Sequence, residues 1–425
     1  MKKVYIYALA YALTAVSCQD NEWGADSATP QAPEIEIPMG AADGELLIKF
    51  VPEMSDILDQ TLTRVGGVAT RSGIPSTDEV LNILGAYHFE RVFPVDPKTE
   101  KRTREAGMHL WYIVRFDKDA DLKEAARQLR KLGEISKIQS NPTLQRAYDP
   151  KKKTLYLSAS DLQHVIRTSE GLTFNDPGLK HQWHYRNAGN YDFVKKDRAE
   201  AIAGADVNCG EAWELCKGDP SIIVAVLDEG VMWSHPDLIA NMWTNEAEEI
   251  GSTEDKDGNG YKGDRYGYNF VKNTGVISWT SADDTGHGTH VAGTIAAENG
   301  NSIGVSGIAG GDGNTGSGVK IMTCQLFDGQ YGATLAAEAK AIKYAADNGA
   351  VVLQCSWGYN SPDANEALGY VPGPKNEQDW ENQYPLEKEA LDYFIHNAGS
   401  PNGVIDGGLA IFASGNEYAP SSSFP

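Results

Sequence analysis

The stretch Asp283-Asp284-Thr285-Gly286-His287-Gly288-Thr289-His290 sets two carboxylates and two imidazoles at the mouth of an apolar run. His287 stands between Gly286 and Gly288. Glycines on both sides let backbone approach closely and leave the imidazole open on one side. A histidine so placed can take a proton and then return it. His290, one helical turn later, reads as a packed core residue among Val291, Ala292 and Ile295. The pair is a poor zinc site, because the glutamate of an HExxH motif is absent and the spacing differs from i, i+4. A partner carboxylate is available elsewhere. Asp228 ends the apolar run "SIIVAVLD" (221–228). A carboxylate at the end of a buried strand can accept a histidine N–H, fix the tautomer and stabilise the imidazolium formed on proton transfer. The next residue, Glu229, is turned to solvent by strand alternation. Asp283 and Asp284 read as caps of the turn into the histidine helix.

A second oxygen-rich stretch is Asp255-Lys256-Asp257-Gly258-Asn259-Gly260, a D-x-D-x-N-G pattern. It has the start of a calcium loop, with Asp255, Asp257 and Asn259 as ligands and Asp264 supplying a further oxygen. Position 12 is Tyr266 instead of glutamate, so it is not an EF-hand. A structural Ca2+ is expected there, and no cofactor is required for chemistry. Of the cysteines, Cys209 and Cys216 flank a short loop and could pair in an oxidising compartment. Cys324 and Cys355 lie inside apolar runs and read as small buried hydrophobes.

These residues need a scaffold, and the chain of 425 residues is long enough for two or three domains. Besides "SIIVAVLD", three continuous apolar runs follow: "VKIMTCQLF" (319–327), "AVVLQCSW" (350–357) and "GLAIFASG" (408–415). Such runs are strands buried on both faces. Helical stretches separate them: 289–300, 333–349 and 386–399, the first two ending in Asn-Gly. The fold class is therefore α/β, a doubly wound parallel sheet, with its site at the carboxyl ends of the strands. Upstream, residues 45–147 show the order β-α-β-β-α-β of a small α+β, ferredoxin-like domain. Its helices are expected at 76–86, capped by Ser76 or Thr77, and at 121–133. Residues 148–181 are a polar linker, and 18–44, with Pro30, Pro33 and Pro38, a tether. At the start, Lys2 and Lys3 precede a short apolar run that ends in Ala15-Val16-Ser17-Cys18. Residues 1–17 resemble a bacterial lipoprotein signal, which implies lipidation of Cys18 and an exported, cell-envelope location. The formal charge is −22, most of it carried after residue 150. That argues against a nucleic-acid partner and fits a secreted domain that collects cations.

"VAVLDEGV…SHPDL", "DDTGHGTHVAGTIAA", "QCSWG" and "FASGNE" occur in the order and spacing of the subtilisin-like serine proteases, the subtilases. The resemblance covers residues 182–425, and "FNDPGLKHQWHYRN" (174–187) is similar to the family's lead-in. It implies Asp228 and His287 as two members of an Asp-His-Ser triad, in the family's chain order. It implies Asn416 as the oxyanion donor, worth about 3–4 kcal/mol in the transition state. It implies Ser356-Trp357-Gly358 as the strand that pairs with an extended peptide. It also implies that 45–147 is a propeptide that chaperones folding and then inhibits, so that the enzyme is made as a zymogen acting on polypeptides. The family's Gly-Thr-Ser-like nucleophile motif is not found, and Ser421, Ser422 and Ser423 lie too close to Asn416. The expectation is a fragment that lacks the nucleophile and is inactive by itself. The alternative is a peptide-binding pseudoprotease on the same scaffold.

Overall fold

The computed structural model describes residues 41–65, 68–69, 71–146, 174–189, 202–360, 362 and 373–414. The expectations for Cys18, Asn416 and the serines at 421–423 fall outside these residues. The first strands belong to an antiparallel sheet: β1 (Ala41–Phe50), β2 (Val68–Ala69), β3 (Ala86–Arg91), β4 (Trp111–Phe116) and β5 (Ile135–Pro142). Its order is β2-β3-β4-β1-β5. Without the short β2 this is the ferredoxin-like arrangement, and α1 (Ser55–Val65), α2 (Pro75–Ile83), α3 (Glu100–Glu105) and α4 (Leu122–Leu129) fill the connections. Leu46, Ile48 and Phe50 on β1 share a core with Val114 and Phe116 on β4 and with Ala125, Ala126 and Leu129 on α4. Asp121 caps α4 by accepting from the Glu124 amide at 3.1 Å.

The start of α2 differs from the expected cap. Pro75 occupies the first turn, where a missing N–H costs nothing. Asp78 reaches back to accept from the Ser72 amide at 2.6 Å and the Gly73 amide at 3.1 Å. Ser76 and Thr77 donate instead to Glu134.

The second sheet is parallel in the order β11-β10-β6-β8-β7. Its strands are β6 (Ile223–Glu229), β7 (Gly267–Asn269), β8 (Lys320–Asp328), β10 (Ala350–Cys355) and β11 (Leu409–Phe412), with the short antiparallel β9 (Tyr331–Gly332) beside β8. Alternation along β6 divides two cores. Ile223, Ala225 and Leu227 join the core under α7 (Leu335–Asp347). Val224 and Val226 join the core under α6 (His287–Ala296). Helices thus cover both faces, which is why these strands are apolar throughout. Helix α6 stops at Ala296, three residues short of the Asn299-Gly300 signal, and the Asn299 side chain bonds the Gly311 carbonyl instead. Gly349 has φ +86° just past α7, the left-handed position that the Asn-Gly pair signals.

Both cysteines flanking α5 (Cys209–Leu215) are free thiols, Cys209 buried and Cys216 exposed, so the possible pair is not formed. Burial pushes the Cys209 thiol up to about 11. Residues 174–181, read as the end of a linker, pack down instead. The Phe174 ring meets Trp213 at 5.0 Å, and Asp176 accepts from the Gly300 amide and the Ser306 hydroxyl.

The antiparallel sheet lies against α7 and against α9 (Pro385–Asn397), which follows the short α8 (Glu377–Gln383). Two β5 side chains satisfy the starts of those helices. Asn141 Oδ1 accepts from the Ala336 amide at 2.9 Å, and Gln139 Oε1 from the Leu386 amide at 2.8 Å. Glu389 on α9 takes Lys49 at 2.7 Å, Lys137 at 2.8 Å and the Trp111 indole at 2.7 Å. The Asn141→Ala substitution removes a buried cap, and urea denaturation is expected to show a loss of about 1 kcal/mol.

Candidate active site

Asp228 closes β6 and His287 opens α6, and the structure brings them together. The imidazole Nδ1 stands 2.8 Å from one Asp228 oxygen and 2.9 Å from the other. Asp228 is 1% exposed, and it also accepts from the Glu229 amide at 2.6 Å. A carboxylate that close makes Nδ1 the protonated nitrogen and leaves Nε2 as the basic one. Burial pushes the Asp228 carboxyl up, against the hydrogen bond and charge of His287. Burial also presses the imidazole down, but the hydrogen bond and charge of Asp228 outweigh it and leave His287 above its ordinary value.

Glycine is what allows the helix to start so near the strand. A Cβ placed on Gly288 would lie 2.1 Å from the Glu229 carbonyl oxygen. Gly286, at φ +80°, turns the chain into α6 with no side-chain cap of its own.

Glu229 corrects the expectation that it faces solvent. It is 1% exposed. Its carboxylate accepts from the amides of Thr285 at 3.0 Å, Gly286 at 3.0 Å and His287 at 3.1 Å. The alternation argument fails because β6 is buried on both faces, so the face opposite Asp228 is covered as well. The β6–β8 pairing also shifts register here, from Asp228 opposite Gln325 to Glu229 opposite Phe327. Glu229 therefore takes the role expected of Asp283 and Asp284. Asp284 accepts instead from the amides of Gly329 at 2.7 Å and Ser281 at 2.8 Å, and Asp283 is exposed.

His290 is a second correction. It is exposed, not packed. The buried face of α6 is Gly288, Ala292 and Ala296, a four-residue spacing. Position 290 lies two residues from both 288 and 292, on the opposite face of the helix.

The peptide-binding strand expected at Ser356-Trp357-Gly358 follows directly after β10. Trp357 is 3% exposed and packs edge-on against Phe412 at 5.3 Å, so its ring belongs to the core. Gly358 is exposed, with nothing within 4 Å of where a Cβ would stand.

The oxygen-rich loop separates into two groups. Glu248, Asp255 and Asp257 bring carboxylate oxygens within 4.8 Å of one another. Glu248 was not foreseen, since it lies seven residues before the motif. Asn259 and Asp264, expected beside the aspartates, engage each other at 3.0 Å, and Asp264 also takes the Tyr344 hydroxyl at 2.8 Å. Burial pushes Asp264 up to about 6.

Residues 219–424 match the family described as the subtilase family. These residues are thus similar to the subtilases over the part of the chain that holds the Asp228–His287 pair. Subtilisin-like protease 1 of Plasmodium vivax is 31% identical over 195 residues, which are 46% of this chain and 26% of the relative. The PC3-like endoprotease variant B of Hydra vulgaris is 30% identical over 323 residues, 76% of this chain and 33% of the relative. Among solved structures, the Aeromonas sobria serine protease in complex with its chaperone is 25% identical with a TM-score of 0.39, covering 59% of this chain and 34% of that one. The chain thus spans about a quarter to a third of these relatives.

The Asp228–His287 pair has a testable signature. Following His287 by NMR, the imidazole of the intact chain is expected to titrate above the ordinary 6.5. Asp228→Asn is expected to lower that midpoint, since it removes the charge that favours the imidazolium. An unchanged midpoint in Asp228→Asn would contradict the pairing.

Proposed function

We propose that this protein is a serine-type endopeptidase of the subtilisin kind, made as a zymogen. The carrying observation is the Asp228–His287 hydrogen bond at the carboxyl end of a parallel sheet. Under this reading a serine hydroxyl outside the described residues attacks the peptide carbonyl. His287 Nε2 takes its proton and passes it to the leaving amine. Asp228 holds the ring and offsets the imidazolium charge. Asn416 donates to the oxyanion, and water then hydrolyses the acyl-enzyme. The substrate is an extended polypeptide laid along Ser356–Gly358.

The zymogen reading draws support from the chain before the described gap. Beyond β5, Thr143 bridges Thr334, and the Leu144 amide donates to the Ala333 carbonyl at 2.8 Å. The antiparallel unit thus sends its tail along the edge that leads back to β8 and the dyad. In this role it is an internal inhibitor. The signal-like residues 1–17 and Cys18 support an exported lipoprotein, held to the cell envelope by its lipid. Among the described residues, no helix is long and apolar enough to cross a membrane.

In the full-length protein, His287→Ala is expected to reduce peptide hydrolysis by a factor on the order of 10⁶, the usual cost of losing a triad histidine. A fluorophosphonate should label one serine and stop turnover. Full activity in His287→Ala refutes the reading.

A structural Ca2+ is proposed at Glu248, Asp255 and Asp257, whose hard oxygens suit it. Backbone amides of Lys256, Gly258 and Asn259 already hold these carboxylates in place. Calorimetric titration of the chain is expected to show calcium binding and a raised melting temperature. No heat at millimolar calcium would remove the site.

A further inference from the structure

Two buried acids between α7 and α9 take no part in the chemistry proposed above. Glu338 is 0% exposed and Glu387 1%. Each lies in the first turn of its helix. Glu387 Oε2 accepts from the Trp380 indole at 2.8 Å and from the Tyr359 hydroxyl. Its Oε1 and both oxygens of Glu338 meet no other donor among the described residues. The two acids nevertheless stand within hydrogen-bond reach of each other. Two carboxylates have no hydrogen to share, so a bond between them requires a proton on one.

The surroundings require that proton too. The titratable groups that face the pair are Cys355 at the end of β10 and Tyr359 beyond it, with Tyr384 stacked on Tyr359. Burial pushes the Cys355 thiol and the Tyr359 phenol well up, so both stay neutral. No lysine, arginine or histidine faces either acid among the described residues. The first turn of a helix welcomes one negative charge, because its orphan amides point outward. It does not offset a second charge buried beside the first. Burial pushes the Glu338 carboxyl well up, and the charge of Glu387 adds to this. Burial also pushes Glu387 up, against the bonds from Tyr359 and Trp380. Glu338 is therefore the acid that keeps its proton and donates it to Glu387.

We propose that the proton shared by Glu338 and Glu387 is a clasp between the starts of α7 and α9, and that its removal at alkaline pH loosens the antiparallel sheet seated on them. The inference does not rest on the endopeptidase reading.

The link to the sheet is β5. Asn141 holds the Ala336 amide, two residues before Glu338, and Gln139 holds the Leu386 amide, the residue before Glu387. Leu47, Trp111 and Ile113 of the sheet share the core in which both helices are packed. When Glu338 gives its proton to water, two carboxylates face each other with no cation to offset them. Hydrating them moves the helix starts, and the amides that β5 holds move with them. A carboxyl whose folded value is raised keeps its proton at a pH where the unfolded chain has lost it. Its contribution to stability is complete below the ordinary 4.5 and is lost as pH rises through the folded value above it. The clasp thus favours a closed seam in acid and an open one in alkali.

Two measurements on the full chain test the proposal. With its glutamate carboxyls labelled with carbon-13, the chain is titrated by NMR. One protonated glutamate carboxyl is expected to persist at about pH 7, where ordinary ones are ionised, and to be missing from Glu338→Gln. A spectrum in which every glutamate is ionised at that pH overturns the proposal.

Hydrogen exchange at the Ala336 and Leu386 amides then reads the seam, with the Val226 amide of β6 as internal reference. Glu338→Gln keeps a neutral donor facing Glu387 but has no proton to lose. At about pH 5 the two proteins are expected to exchange alike at both amides. At about pH 9 the unsubstituted chain is expected to exchange about tenfold faster than Glu338→Gln. Equal exchange there overturns the clasp, even where the shared proton is found. Should Glu338→Gln not fold, the unsubstituted chain still decides. Loss of the carboxyl proton and the rise in exchange relative to Val226 must share one midpoint, and separate midpoints overturn the proposal.

Discussion

The site depends on the contact between the end of one strand and the start of one helix. β6 delivers Asp228 and Glu229 in succession. The first binds the imidazole of His287 and the second binds the backbone on which that imidazole is mounted. Position and orientation of the base are thus set by adjacent residues on a strand buried on both faces. The Glu229 charge also meets the positive end of α6, where orphan amides gather. The absence of a Cβ at Gly288 makes the contact possible at all, because the strand carbonyl already fills that volume.

The parallel sheet was legible because its strands are buried on both sides and so read as continuous apolar runs. Asp228 and His287 were legible because one ends such a run and the other sits between glycines. What escaped was local geometry that burial patterns do not encode. Strand alternation turned Glu229 outward, but β6 is covered on both faces and its far side holds no solvent. His290 was read as core from its apolar neighbours, although the helix buries 288, 292 and 296. Ser76 and Thr77 look like caps, yet Pro75 and Asp78 open α2. Glu248 joins Asp255 and Asp257 only through the fold of their loop.

The antiparallel unit and the parallel sheet meet through chemistry at helix ends as well as through apolar packing. Leu47, Trp111 and Ile113 extend the core that lies under α7. Gln139 and Asn141 add hydrogen bonds at the two helix starts. Glu389 gathers two lysines and an indole at the rim. The register of β5 on α7 and α9 then fixes where the residues after Pro142 run, and so carries the tail toward the dyad.

The capping by Gln139 and Asn141 has a consequence for reversibility. The amides of Ala336 and Leu386 belong to the first turns of their helices, where water can take over from a departing side chain. At these two points water can take the place of the amide oxygens of Asn141 and Gln139. The polar part of the seam is therefore replaceable by solvent, whereas its apolar part is not.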